Sequence, residues 1–159
     1  MGLSKKYPES FEWAEYRFFG FPGMSDEEKK SFAEKHFQAN LQKGASAFKG
    51  KDWLTVIDHL EKALVLQTYL ADKQMAGKIY KTLAQAAYNL EDYSKAIRYQ
   101  KKILPYSEED PEELAEAHYF LGILNSRTEN FPSAVEHLQK ALRIYEEYEI
   151  LDRLAESYS

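Results

Sequence analysis

Two stretches of this 159-residue chain set a histidine beside a carboxylate. Asp58 and His59 stand in IDHLEKAL (57–64), and Glu136 and His137 stand in VEHLQKAL (135–142). A histidine next to an acid is raw material for acid–base catalysis or metal ligation. The spacing speaks against both, because adjacent helical residues project about 100° apart and do not converge on one point. We read His59 and His137 as partly exposed helix residues and His118 as filler in or near the core. Nothing in the sequence pairs His36, one turn before Asn40, with another ligand. The chain contains no HExxH pair, no glycine-rich phosphate loop and no nucleophile elbow. SEEDPEEL (107–114) has the acidity of a calcium loop but neither its glycine nor its ligand spacing. With no cysteine, thiol catalysis, disulfides and thiolate metal sites drop out. The expectation is a protein that is not an enzyme and that carries no metal and no cofactor.

Composition narrows the class further. Apolar residues make up 44% and charged residues 30%, which is a folding rather than a disordered composition. The length suits one domain with a real core. A net charge of −5 gives no electrostatic footprint for nucleic acid. No apolar run approaches the roughly 18–20 residues that span a bilayer, and MGLSKKYPES lacks the apolar stretch of a signal peptide. Lys6 stands where a myristoylation signal wants Ser or Thr. No nucleic acid, no membrane and a cytoplasmic location are the corresponding expectations.

The elements that carry these residues read as helices joined by short breaks. SDEE (25–28) is a capping box with Ser25 as N-cap. A helix from about Asp52 to Leu70 follows the break KGKD (49–52), and NLEDY (89–93) and RTENF (127–131) are further breaks. Pro105 is expected to end one helix. Asp110 and Pro111 open the next. No stretch alternates with period two, so no strand is expected.

The two octapeptides fix a register. Val56, Ala96 and Ala134 become equivalent, each with an aromatic three residues earlier: Trp53, Tyr93 and Phe131. Twelve residues before each stands a small one: Gly44, Ala84 and Gly122. Leu60 and Leu138 match, whereas the second copy has Gln100 there and Ile103 where the others have Ala63 and Ala141. Small residues where two helices cross let the backbones approach, and large apolar ones fill beside them.

This pattern resembles the tetratricopeptide repeat, most closely in HYFLGIL…NFPSAVEHLQKAL (118–142). The resemblance implies an all-α, right-handed α-solenoid of antiparallel helix pairs. The repeats fall at about 37–72, 77–106 and 111–147, with a partial fourth from 148, inside a repeat domain at 25–159. The spacing of 40 and then 38 resembles the longer-repeat subgroup of that family.

In that family the groove is lined mainly by the first helix of each pair. Carried over by position, the candidate peptide-binding residues are Leu41, Phe48 and Lys49 in the first copy. In the second they are Lys78, Lys81, Gln85, Tyr88 and Asn89, and in the third Tyr119, Ile123 and Arg127. Gln38, Ala45, Glu116 and Ser126 complete the set. Four cations against the single Glu116 imply a protein or peptide partner with acidic and apolar residues. The carboxylate clamp by which some members hold a chaperone tail finds Leu41, Ala45, Thr82, Glu116 and Phe120 at its positions, which argues against that partner. A scaffold presenting this groove is the leading expectation. The alternative is a sensory or regulatory module of a larger signalling protein that responds to a peptide or small ligand.

Both ends raise separate expectations. Residues 1–24 hold Phe11, Trp13, Tyr16, Phe18, Phe19 and Phe21, too many aromatics to leave in water. They suit a capping segment over the first repeat, or one that docks into the groove or onto another subunit. Leu151, Leu154 and Tyr158 would present an apolar stripe on a helix with no partner, which points to a longer repeat protein or to self-association through the C-terminal helix.

Overall fold

The computed structural model describes residues 23–70 and 74–148. They form six helices and, among the described residues, no strand. We number the helices α1 (Asp26–Lys49), α2 (Trp53–Gln67), α3 (Met75–Asn89), α4 (Tyr93–Ser107), α5 (Pro111–Arg127) and α6 (Phe131–Glu147). The chain divides into two compact units, residues 1–76 and 77–159. No helix among the described residues is long and apolar enough to cross a membrane.

Four of the six helices start at a side-chain cap, whereas Asn130 before α6 makes no such bond. Ser25 Oγ accepts from the Glu28 amide, the N-cap half of the capping box, and donates to the Glu28 carboxylate. Asp52 and Asp92 accept from the amides of Thr55 and Lys95, and Asp110 from those of Glu112 and Glu113. Pro111 occupies the first turn of α5, where its missing N–H leaves no bond unmade.

The three tight turns repeat one geometry. Lys51, Glu91 and Glu129 sit in the left-handed region with φ of 58°, 60° and 59°. In each turn the following amide reaches back five residues: Asp52 to the Ala47 carbonyl, Asp92 to Ala87 and Asn130 to Asn125, at 2.9–3.0 Å. These bonds close the helix C-termini as a Schellman-type motif, without the usual glycine. The helices on either side of each turn therefore run back along one another.

Within the first unit, α1 and α2 cross at Gly44. A Cβ built there falls 2.8 Å from Leu60 Cδ2. Within the second unit, α5 and α6 cross at Gly122, where a Cβ falls 2.5 Å from Leu138 Cγ. The expected role of the small residue is thus met at both sites. On α3, Ala84 takes the place and is buried. Ile79, Leu83, Ala96, Ile103, Ala115, Ala117 and Leu121 are buried with it.

Pro105 does not end its helix. It lies inside α4, which runs on to Ser107. The missing amide removes one bond, to the carbonyl four residues back. That loss falls in the last turn, where the helix already stands on three preceding turns, and the Ser107 hydroxyl donates to the Ile103 carbonyl at 3.3 Å. The second helix is also shorter than expected, stopping at Gln67, with Thr68 Oγ1 donating back to the Val65 carbonyl. The aromatic segment up to Phe21 and the C-terminal residues Leu151, Leu154 and Tyr158 lie outside the described residues.

Candidate functional site

The second unit contains a cavity of about 530 Å³. Its lining comes from α3 (Lys81, Ala84, Gln85, Tyr88, Asn89), from α4 (Gln100) and from α5 (Glu116, Ala117, Phe120, Ile123, Leu124). The lining is mainly apolar, with amides and one opposed charge pair added. This is the usual make-up of a binding pocket, and the volume falls within the usual range of roughly 300–1,000 Å³.

The local sequence explains why the cavity is here. At the equivalent sites of the other two helix pairs, Leu60 and Leu138 lie against Gly44 and Gly122. The α3–α4 pair has Ala84 and Gln100 instead. Gln100 reaches away from its own pair: its Nε2 donates to the carbonyl oxygen of Ala117 on α5, at 3.3 Å. An unbranched polar side chain thus stands where the other pairs place a branched apolar one, and it lines the cavity.

The rim carries the aromatic residues. Tyr88 is 37% exposed and meets Tyr93 edge-on at 5.6 Å between ring centres. Phe120 is 45% exposed, edge-on to Tyr119 at 5.8 Å. Asn89 Nδ2 donates to the Gln85 carbonyl at 2.9 Å, which fixes the amide against its own helix. The Lys81 ammonium lies 3.4 Å from Glu113 and 3.8 Å from Glu116. All three are about half exposed, so the pairs hold position more than they stabilise the fold.

Of the candidates on the second unit, the cavity brings together Lys81, Gln85, Tyr88, Asn89 and Ile123. Lys78, Tyr119 and Arg127 do not line it, although Tyr119 supports Phe120. On the first unit Phe48 meets Trp53 edge-on at 5.3 Å, Leu41 is partly buried and Lys49 is exposed at the end of α1. The reading by position missed Gln100, Phe120 and Leu124. Phe120 had entered only as a mismatch to the clamp. The signal for Gln100 was visible, since it breaks an otherwise apolar column of Leu60 and Leu138. Lys81, one of the four cations in the set, faces two carboxylates of α5, Glu113 and Glu116.

The histidines are not isolated. His118 and His137 stack, with their Nδ1 atoms 3.0 Å apart and ring centres at 5.3 Å. His59 Nδ1 lies 2.9 Å from Asn40 Oδ1, and Asn40 Nδ2 donates to the His36 carbonyl. Asp58 and Glu136 instead pair along their own helices with Lys62 and Lys140. Among the described residues no three histidines or carboxylates are grouped to hold a metal ion.

No protein-family model matches the sequence, and no curated protein matches it. Among solved structures, the fold is similar to the C-terminal TPR-containing domain of a Plasmodium falciparum protein described as FK506-binding. The identity is 25% and the TM-score 0.54, over 86% of this chain and 97% of that one. The all-α helix pairs, their crossings and this likeness give the chain the tetratricopeptide-repeat fold that its sequence resembles.

Proposed function

We propose that the chain is a protein-interaction scaffold that binds a peptide segment of a partner in the α3–α5 cavity. The observation that carries this reading is the cavity itself: an apolar wall of Ile123 and Leu124 beneath an exposed rim of Tyr88, Phe120 and amide side chains. A half-exposed phenylalanine and tyrosine at the mouth of a cavity are what a recognition site offers and what a merely soluble surface avoids. The lining supplies no nucleophile with a base, so binding rather than chemistry is the activity it supports.

The partner segment carries an apolar anchor, with acidic residues beside it. An acidic residue competes with Glu113 and Glu116 for Lys81, while Lys78 on the same helix stays exposed. Apolar burial therefore does more of the selecting than charge does. Displayed 12-residue random peptides, selected on the intact chain, test this. The expected result is a family of binders with a shared apolar anchor, weakened at least tenfold by Phe120→Ala and by Ile123→Asp, with helical content unchanged. Binders that ignore both substitutions would overturn the reading.

A further inference from the structure

Of the polar residues that line the cavity, Gln100 is the buried one, at 6% relative exposure, and it forms the floor. Its Nε2 donates to the Ala117 carbonyl, which settles the orientation of the amide. The opposite atom, Oε1, has no donor among the described residues. A buried amide oxygen without a donor is costly, so at a core position this arrangement would be worse than the leucine found in the other two pairs. It is favourable when the donor arrives with a ligand. The walls around it are apolar and aromatic, and Tyr88 and Phe120 at the mouth offer ring faces and edges.

We propose that the cavity seats an aromatic side chain bearing its own donor, the indole of tryptophan or the phenol of tyrosine in a partner segment, with Gln100 Oε1 as the acceptor. The proposal rests on the peptide-binding reading above and specifies its anchor. An aromatic ring supplies the apolar surface that the walls require, and its N–H or O–H meets the buried amide oxygen of Gln100. Phenylalanine and leucine satisfy the walls but leave the amide oxygen without a partner. A site built around such a group discriminates strongly against ligands that lack the donor. Gln100 is therefore a specificity residue, and it accounts for the departure of α4 from the leucine of its two counterparts.

The test uses small probes on the full chain, followed by NMR. These are the N-acetyl amides of tryptophan, tyrosine, phenylalanine and 1-methyltryptophan, the last having an indole without its donor. The expected result is that the tryptophan or the tyrosine probe shifts the Gln100 side-chain amide together with the Ala84, Ala117 and Phe120 signals. That probe should bind at least about fivefold more tightly than the phenylalanine and 1-methyltryptophan probes, and whichever of the two binds tighter names the anchor. Gln100→Met keeps an unbranched chain of similar length and removes the acceptor. It should abolish the preference while leaving weak apolar binding. If all four probes bind the cavity within a factor of two, or if Gln100→Met keeps the preference, the donor-bearing anchor is wrong and the peptide site still stands. If no probe shifts any cavity signal, both readings fall.

Discussion

His118 Nδ1 faces His137 Nδ1 at 3.0 Å across the α5–α6 crossing, a place that each helix pair fills with a different polar couple. In the first pair it is Asn40 and His59, and in the second Tyr80 and Tyr99, with ring centres 6.5 Å apart. The three couples share one sequence separation, 19 residues. Asn40 presents a carbonyl oxygen, so His59 donates to it in either charge state. Two facing imidazole nitrogens allow no such freedom: one donates, the other accepts, and double protonation breaks the contact.

That difference predicts a pH-dependent stability. Burial first, then His137 and Lys140, hold the His118 pKa below the ordinary histidine value. Burial, then Lys140, with Lys101 on α4 adding less, do the same for His137; Glu136 opposes both shifts. Burial also lowers the pKa of His59. A depressed folded-state pKa means that the unfolded chain binds more protons once the pH falls below about 6.5. The stabilising contribution is therefore complete above that pH and is lost as pH falls from there through the lowered folded-state values. Urea midpoints should drop between pH 7 and pH 5. His118→Asn, which copies the Asn40–His59 couple, should flatten that slope; an unchanged slope would show that the pair does not control it.

Substitution at the two crossing glycines separates close packing from helix propensity. Alanine in a helix interior gains about 1 kcal/mol over glycine. At Gly122 the new Cβ meets Leu138 Cγ at 2.5 Å and the Ala134 carbonyl at 3.3 Å, so backbone or a branch point has to move. At Gly44 it meets Leu60 Cδ2 at 2.8 Å and Cγ at 3.1 Å, a milder overlap with no backbone atom in it. Overpacking costs typically 1–3 kcal/mol. Gly122→Ala should lower stability by roughly 1 kcal/mol, Gly44→Ala should be close to neutral, and Gly122→Leu should be worse than either in denaturant titration.

The left-handed turn residues invite the opposite change. A non-glycine residue in that region carries on the order of 1 kcal/mol of strain or more, against about 0.5–1 kcal/mol of glycine entropy. Glu129 has φ of 59° and follows Thr128, the C-cap of α5. Glu129→Gly should leave stability unchanged or raise it by up to about 1 kcal/mol. A loss of that size would mean that the side chain has a structural role of its own.

Lys81 tests what the charge pair is worth. Its contacts with Glu113 and Glu116 are exposed and longer than 3.3 Å. Such pairs contribute about 0–1 kcal/mol. Lys81→Met should cost less than 1 kcal/mol, while removing part of the salt dependence of binding to any acidic peptide selected on the chain. A large loss of stability would reassign Lys81 to the fold.

The features legible in the sequence are those fixed by local rules. Gly44 and Gly122 at crossings, the turns after Lys49, Asn89 and Arg127, and the caps Ser25 and Asp110 all follow from steric size and from donors at helix ends. Pro105 was misread because the rule against proline describes a helix interior, and a last turn can forgo one bond. The histidine couple escaped because its members lie on different helices, 19 residues apart, and neither helix alone reveals the contact. The cavity was half legible. Positional likeness found its α3 wall, but its floor depends on Gln100 turning toward the next helix, a choice made by three-dimensional packing and not by periodicity.

The same floor yields the last prediction, a non-additive one. Two helix pairs use glycine with leucine; the third uses Ala84 with Gln100, at the same register. If the residues of each couple are matched by volume, the two substitutions that convert one couple into the other must depend on each other. Ala84→Gly alone removes a methyl from a buried helix position and should cost about 1 kcal/mol. Gln100→Leu alone sets a branched carbon near the alanine methyl that glycine spares its counterparts, and it gives up the bond to Ala117; overpacking costs typically 1–3 kcal/mol. Together they rebuild the couple that already packs at Gly44–Leu60 and Gly122–Leu138. Residues in contact couple by 0.5–3 kcal/mol, so the double variant should be more stable than the sum of the singles by about 1 kcal/mol or more. It should also lose the acceptor on the cavity floor. Urea titration of the four proteins in the cycle measures the coupling. A value near zero would show that Ala84 and Gln100 are independent, and that the cavity does not arise from exchanging one packing couple for another.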